Sequence, residues 1–412
     1  MKKLLEISLA IMAALGGFVD IGELVFTAHA GAAFRYNLLW VLAFASIGII
    51  LYAELCGRIA AVAKQAVFTV IKRKMGKRSA FVVWLASTLV NLATCAAEIG
   101  GIAILLELLT NFGPSWLPLL VAVVLAAAIW FMPFKWIERV FGLAGLTMLI
   151  FAVGAVAVQP DWGAVAAGLA PNLPDFASQR DTLLFGYFVV GIISSLMMPH
   201  GVYFYSSGGI EEGWQKRDVP LNRAISIIGF TLGSLVAMAL LVLGAAIFAP
   251  RGIVPDTIGS AALLVATPYG KIGVVLALIG MISAVAGAAV ETALAGAYNF
   301  AQYFERPWGR SRPARETPAF DAAWILMLLL GAVVVMTGID PILLVELAVM
   351  LAVICLPFTY YPVLSAAHNK SLMGKDRTGA LAHGLGWFYF IVVCIAALAA
   401  PVLLVLTGMG RY

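Results

Sequence analysis

Long apolar stretches alternate with short polar loops along almost the whole chain. A helix needs about 20 predominantly apolar residues to cross the hydrocarbon layer of a bilayer. Cutting the sequence at loops rich in charge, proline or glycine leaves eleven such segments, which predict an all-α integral membrane protein. Their predicted limits are Leu5 to Ala33, Leu38 to Ala63, Ala80 to Leu109, Trp116 to Pro133, Trp136 to Val158, Leu183 to Gly208, Ile225 to Phe248, Ile272 to Phe300, Ala322 to Thr337, Pro341 to Ala367 and Ala382 to Leu406.

Composition agrees with this pattern and excludes a soluble domain. Of the 412 residues, 63% are hydrophobic and 11% are charged, against roughly 45–50% and 25% in soluble proteins. Because of this apolar composition, we expect a lipid bilayer around the chain. The net charge of +5 resides in short loops, where it reports orientation, so we expect no nucleic acid as a partner. The four cysteines lie in apolar segments without metal-ligand spacing and are interpreted as packing residues.

The basic residues predict the orientation of the chain. With the N-terminus in the cytoplasm, 21 of the 26 Lys and Arg residues fall on the cytoplasmic side, as the positive-inside rule requires. Acidic residues interrupt the first apolar segment, which is also too long for a signal peptide, so we expect it to remain as helix 1. The predicted location is a bacterial inner (plasma) membrane, spanned many times.

Two short polar motifs divide the chain into two related halves. Asp20 and Met198 lie 178 positions apart, each in the first helix of a block of five. Because five is odd, the second block crosses the membrane in the opposite sense, which is typical of an inverted repeat. We therefore predict one transporter domain over residues 1–412, with repeats at 5–158 and 183–367 and an extra helix 11 at 382–406.

The two motifs carry groups that suit a divalent cation. Pro199 has no N–H, so the carbonyl of Ser195 loses its helical partner at mid-membrane, and a cation can satisfy that carbonyl. Met198 offers a thioether, a soft ligand favoured by transition metals. Asp20 and Glu23 are three residues apart, so both carboxylates can face one point.

In such folds the first helix of each half is broken near the bilayer midplane, and the substrate binds at these breaks. Gly22 and Pro199 are the residues expected to make the two breaks.

On these residues the chain resembles the Nramp family of divalent metal transporters. The resemblance implies a LeuT-type fold, transport of Mn²⁺- or Fe²⁺-type ions by alternating access, and metal binding by Asp20, Glu23, the Ser195 carbonyl and Met198. The ion is then the substrate, and neither a cofactor nor an enzymatic activity is expected. The matching motifs are Asp20-Ile21-Gly22-Glu23, Ala30–Phe34, Leu38–Leu42, Glu98-Ile99-Gly100, Met198-Pro199-His200, Ala293–Gly296 and Leu356-Pro357-Phe358.

The chain departs from the family pattern at several of these positions. Glu23 replaces the family's Asn ligand, which adds a negative charge and makes the site harder, and Ile21 replaces a proline. Of the helix 3 acids that the family links to proton movement, Glu98 alone remains, with Thr88 and Cys95 at the other positions. Proton coupling therefore stays open.

Two further residues are candidates for handling protons or gating. We interpret His200 as a hydrogen-bonding or proton-handling neighbour of the metal, and Glu98 as either a transport residue or a packing one. The family's second helix 6 histidine is absent, and Tyr205 takes its place.

Three alternatives remain open from the sequence. The harder site favours a Mg²⁺-preferring relative of the family. A membrane metal sensor would bind the ion without moving it, and an organic-solute carrier could share the fold.

Overall fold

The computed structural model describes residues 19–132, 134–174, 176, 178–255 and 257–410, and these residues form helices and no strands. The helices are α1 Ile21–Phe34, α2 Leu39–Ala63, α3 Val67–Thr110, α4 Leu117–Phe131, α5 Phe134–Gly145, α6 Leu149–Ala157, α7 Trp162–Gly168, α8 Gln179–Leu196, α9 Pro199–Glu211, α10 Val219–Leu243, α11 Ile258–Leu263, α12 Ala266–Tyr303, α13 Pro318–Met336, α14 Pro341–His368, α15 Lys370–Met373 and α16 Ala380–Leu406.

The helices confirm the predicted membrane class. Within the described residues, eight helical segments are long and apolar enough to cross a bilayer, and a pair bent by 118° at the α6–α7 junction brings the number to nine. Two shorter apolar helices, α1 and α4, accompany them. These elements are compatible with eleven spans, although residues 5–18 of the first predicted segment lie outside the described residues.

Helix α3 is longer than the predicted third span. It begins at Val67 rather than at Ala80, because the intervening segment is rich in Lys, Arg and Met, which favour helix. Gly76 has a φ of +78° and separates a short first part from the long apolar part. Glycine adopts this left-handed conformation without a steric penalty.

Helix α3 lies at the centre of the fold, where it packs along α12, α13 and α14. Helix α16 instead lies at the periphery, against α14 and α8. Its outer face carries large apolar side chains such as Leu398, 77% exposed, and Val405, 78% exposed. An apolar outer face of this kind is suited to lipid.

Helices α1 and α10 approach each other closely through two glycines. A Cβ on Gly31 would lie 2.1 Å from the carbonyl oxygen of Leu241, and one on Gly244 would lie 2.5 Å from that of Ala28. Small residues allow such backbone contact between membrane helices. This contact fixes the position of α1, which carries half of the candidate site.

Loops predicted to be cytoplasmic meet on one face of the protein. Lys72 Nζ lies 2.7 Å from Glu305 Oε1, and Lys216 Nζ lies 3.7 Å from Asp376 Oδ2. Lys74 Nζ also donates to Ser365 Oγ, near the end of α14 and just before α15, at 3.0 Å, so these contacts join the segments around α3, α12, α10 and α15. The sorting of the loops is thus consistent with the charge pattern, while the assignment of this face to the cytoplasm stays a prediction.

Candidate metal site

The start of α1 lies inside the first predicted span. Val19 and Asp20 are not helical, and α1 begins at Ile21 with Asp20 as its N-cap in an extended conformation. The Glu23 N–H donates to Asp20 Oδ1 at 2.9 Å, as expected for an N-cap carboxylate. The helix therefore starts inside the predicted span, with one acidic residue as its N-cap and a second, Glu23, in its first turn.

Gly22 has a different role from the predicted one. We expected Gly22 to interrupt helix 1, but it is helical and occupies the first turn of α1. A Cβ there would lie 3.2 Å from Val349 Cγ2 and 3.4 Å from Val345 Cγ2. Gly22 thus allows α1 to pack against α14, whereas Asp20 caps the start of the helix.

The carboxyl group of Glu23 is buried and has no hydrogen-bond partner among the described residues. Asp20 is 4% exposed and Glu23 is 1% exposed. With Asp20 at the N-cap, Glu23 stands at the position where a capping-box glutamate bonds back to the N-cap N–H. Within the described residues neither carboxyl oxygen of Glu23 has a hydrogen-bond partner, so this carboxylate is available to another group.

The second break separates α8 from α9. Helix α8 ends at Leu196, Met198 has extended angles of φ −52° and ψ 133°, and Pro199 opens α9. The break predicted from Pro199 is therefore present. The Ser195 hydroxyl donates to the Ile192 carbonyl at 3.2 Å. The backbone carbonyl of Ser195 lies four residues before Pro199, which has no N–H to donate to it.

The structure packs the two breaks against the same residue of α14. The Ser194 hydroxyl donates to the Val349 carbonyl oxygen, and Val349 also flanks Gly22. Phe26 of α1 stacks on Tyr187 of α8 with ring centroids 5.8 Å apart. The ends of α1 and α8 that hold the predicted ligands are thus neighbours.

The donor set is mixed in character. Within the described ranges, no three His, Cys, Asp or Glu side chains converge in a group able to hold a metal ion. The candidate site instead combines two carboxylates, a thioether and a carbonyl. Met198 is 4% exposed, so a bound ion would exchange most of its water for protein ligands.

The two proton or gating candidates are also buried. His200 lies in the first turn of α9, and its Nδ1 lacks a hydrogen-bond partner among the described residues. Glu98 on α3 is 0% exposed. The Thr292 hydroxyl donates to Glu98 Oε1 at 3.2 Å, while Oε2 has no partner in the described part of the chain.

The structure also places Glu291, an acidic residue for which no role was predicted, next to the start of α9. A Cβ on Gly201 of α9 would lie 3.3 Å from Glu291 Oε1 of α12. The sequence marks Glu291 as unusual, because it is an acidic residue in an apolar segment. It does not indicate which helix this residue faces.

Tyr205, at the missing histidine position, takes part in a separate polar contact. Its hydroxyl donates to Asn222 Oδ1 of α10 at 2.8 Å and lies 3.2 Å from the Ser226 hydroxyl. This contact joins α9 to α10. Tyr205 therefore has a structural partner of its own.

A helical membrane protein in which one helix starts at a buried acidic N-cap within a predicted span, and another span is interrupted at a proline, has the features of a multi-span transporter with LeuT-type architecture. Comparison with known proteins makes the assignment specific. Residues 10–403 match the family described as natural resistance-associated macrophage protein-like, Nramp. The chain belongs to the Nramp family, which is not a family of enzymes.

Individual relatives extend over different parts of the chain. It is 27% identical over 417 residues to the divalent metal cation transporter MntH of Agrobacterium fabrum, covering 95% of this chain and 85% of the relative. It is 28% identical over 242 residues to MntH of Latilactobacillus sakei, covering 56% of this chain and about half of the relative, 52%. The fold is similar to the crystal structure of an Eremococcus coleocola manganese transporter, with a TM-score of 0.76, 18% identity and coverage of 98% and 92% of the two chains.

Proposed function

We propose that this protein carries divalent metal ions across the membrane by alternating access. The ion binds between Asp20, Glu23, the Ser195 carbonyl and Met198. The observation that carries the proposal is the Glu23 carboxylate, buried beside Asp20, with neither oxygen partnered by any residue in the described part of the chain. An ionised carboxylate in such surroundings requires a counter-charge, and the relatives named divalent metal cation transporters suggest which one.

The two breaks explain how the site could release its ion. Unwound backbone in a membrane persists where it lines a cavity or binds a ligand. The ligands lie on two helix ends that both pack on Val349, so movement of α1 relative to α8 would separate the carboxylates from the thioether and carbonyl. Such a separation would open the site and weaken binding.

The donor set suits Mn²⁺ and Fe²⁺. Carboxylate oxygens accept Mg²⁺ and Mn²⁺, whereas a thioether favours softer ions. Mn²⁺ and Fe²⁺ tolerate both kinds of ligand. The second candidate is a Mg²⁺-preferring carrier, favoured by two carboxylates at the start of α1, Asp20 at the N-cap and Glu23 in the first turn.

We expect metal transport to be accompanied by little proton movement. Thr88 and Cys95 interrupt the helix 3 acids, and the Thr88 hydroxyl donates to the Trp84 carbonyl at 2.8 Å within its own helix. Vesicles containing a pH dye would test this expectation. Internal acidification in fixed proportion to metal entry would show that Glu23 or Glu98 provides another proton route.

Mn²⁺ uptake into proteoliposomes tests the proposed function. Asp20→Ala removes a ligand and an N-cap together, so Asp20→Asn, which keeps an acceptor at the N-cap, separates the two effects. Asp340→Ala is the matched control, because Asp340 caps α14 in the same way, accepting from Ile342 N at 3.0 Å. We expect both Asp20 variants to lose uptake and Asp340→Ala to retain it.

Equal uptake by all four proteins would contradict the proposal. Binding of Mn²⁺ without uptake by the unmodified chain would instead indicate a metal sensor.

A further inference from the structure

Five basic residues immediately precede the long apolar part of α3. They are Lys72, Arg73, Lys74, Lys77 and Arg78. The chain has no acidic residue between Glu54 and Glu98 to offset them. Gly76 interrupts the run with its positive φ, and a Cβ built there would meet no heavy atom within 4 Å. The run therefore lies on open surface at the start of a predicted membrane span.

Two of the five side chains are already engaged. Lys72 Nζ pairs with Glu305 Oε1 at 2.7 Å, and Lys74 Nζ donates to Ser365 Oγ at 3.0 Å. The other three side chains are those of Arg73, Lys77 and Arg78. They are exposed, and in the described part of the chain none of them forms an ion pair. Their positive charges are thus available to an anionic ligand.

A cluster of aromatic side chains lies beside this basic segment, at the adjoining ends of α3 and α12. Trp84 stacks on Tyr303 with ring centroids 5.8 Å apart, and Phe304 meets Trp84 edge-on at 5.1 Å. Phe81 lies 5.8 Å from Tyr303. Phe81 and Phe304 are 42% and 41% exposed. Exposed rings next to a charged loop are typical of the headgroup level of a bilayer.

Direct contacts join the basic segment to the aromatic cluster. Lys72 Nζ lies 5.3 Å from the centre of the Tyr303 ring. The Tyr303 hydroxyl donates to the Lys77 carbonyl at 3.3 Å. Lys77, Phe81 and Trp84 are spaced by four and then three residues, which places them on one face of the helix. The two parts therefore form one surface, cationic at one end and apolar at the other.

We propose that this surface binds an anionic phospholipid such as phosphatidylglycerol. The phosphate lies among Arg73, Lys77 and Arg78, because basic clusters beside a membrane helix attract anionic headgroups and a guanidinium can give a phosphate two hydrogen bonds. The start of the acyl chains lies against Phe81 and Phe304. These exposed rings favour a lipid over a free phosphate ion, which has no apolar part to cover them. The site is separate from the candidate metal site and does not depend on the proposed function.

Native mass spectrometry of the purified full chain in detergent tests the proposal by counting bound lipids. Dioleoyl phosphatidylglycerol is the probe, and dioleoyl phosphatidylcholine, with the same acyl chains and no net charge, is the comparison. We expect the first phosphatidylglycerol to bind more tightly than phosphatidylcholine. Replacing Arg73, Lys77 and Arg78 together by Gln should lower that affinity about a hundredfold at low salt, since each basic residue contributes about a factor of five.

A second triple variant is the matched control. Arg217→Gln, Arg312→Gln and Arg377→Gln remove the same charge from exposed residues of three other loops, none of which forms an ion pair within the described ranges. This variant should keep its affinity for phosphatidylglycerol. Lys77→Gln alone serves if the first triple variant does not fold, and it should weaken binding about fivefold.

Three results would overturn the proposal. Equal affinity for the two lipids would show that charge plays no part. An equal loss in both triple variants would show that net charge alone attracts the lipid. Glycerol 3-phosphate binding as tightly as phosphatidylglycerol would assign the basic residues to a free phosphate, because the rings would then contribute nothing.

Discussion

The Ser194 hydroxyl, in the last turn of α8, donates a hydrogen bond to the backbone carbonyl of Val349 in α14. The side chain of Val349 also sets the approach of α1, because it lies 3.2 Å from where a Cβ on Gly22 would be. One residue of α14 thus spaces the two broken helices. The geometry of the candidate site depends on this contact as well as on the ligands.

Ser194→Ala should loosen this contact. Loss of one buried hydrogen bond costs about 1 kcal/mol, so we expect a lower midpoint of thermal unfolding in detergent and weaker Mn²⁺ binding. Ser79→Ala, at an exposed serine near the start of the long part of α3, is the control and should change neither. Unchanged Mn²⁺ affinity in Ser194→Ala would show that the hydrogen bond between Ser194 and Val349 does not determine metal binding.

Met198 should distinguish soft ions from hard ones. Met198→Ala removes the thioether, so it should weaken binding of Cd²⁺ more than binding of Mn²⁺. Asp20→Ala should abolish binding of both ions. Competition between the two ions, measured by calorimetry on each variant, provides the comparison, and an equal loss for both ions in Met198→Ala would contradict the thioether ligand.

Sequence and structure agree where local chemistry decides the result. Pro199 lacks an N–H, and the end of α8 and start of α9 follow from that one property. Helix 1 was harder to predict, because Asp20 as an N-cap and Gly22 as a break are both compatible with the same four residues. The structure separates these roles, since Gly22 is helical and packs on α14.

Contacts between helices distant in sequence could not be predicted. Hydrophobic periodicity identifies α12 and α14 as membrane helices, but many arrangements of neighbours bury the same apolar surface. Glu291 next to Gly201 and Val349 between the two breaks are consequences of how the whole bundle packs. The spacing of the candidate site depends on the contact with Val349.

Cysteine labelling tests the orientation predicted from the basic residues. Ser79→Cys lies in a segment predicted to be cytoplasmic and Asn172→Cys in one predicted to be external, and both positions are exposed. Cys394, the least buried native cysteine, is first replaced by serine. A reagent that cannot cross membranes should then label Asn172→Cys in intact cells, and should label Ser79→Cys only after the cells are lysed. The reverse pattern would overturn the orientation.

Glu23 should set the preference for hard ions. Glu23→Asn removes a carboxylate and restores the residue of the family pattern, so affinity for Mg²⁺ and Mn²⁺ should fall more than affinity for Cd²⁺. Glu23→Asp keeps the charge and should largely preserve the order of affinities. An unchanged order in Glu23→Asn would mean that Glu23 is not a ligand.

The most direct test of the central claim is the position of a bound ion. We predict one strong anomalous peak at the manganese edge, in a crystal of the protein soaked in Mn²⁺, at coordination distance from Asp20, Glu23, the Ser195 carbonyl and Met198. A strong peak elsewhere, with none between the starts of α1 and α9, would contradict the account.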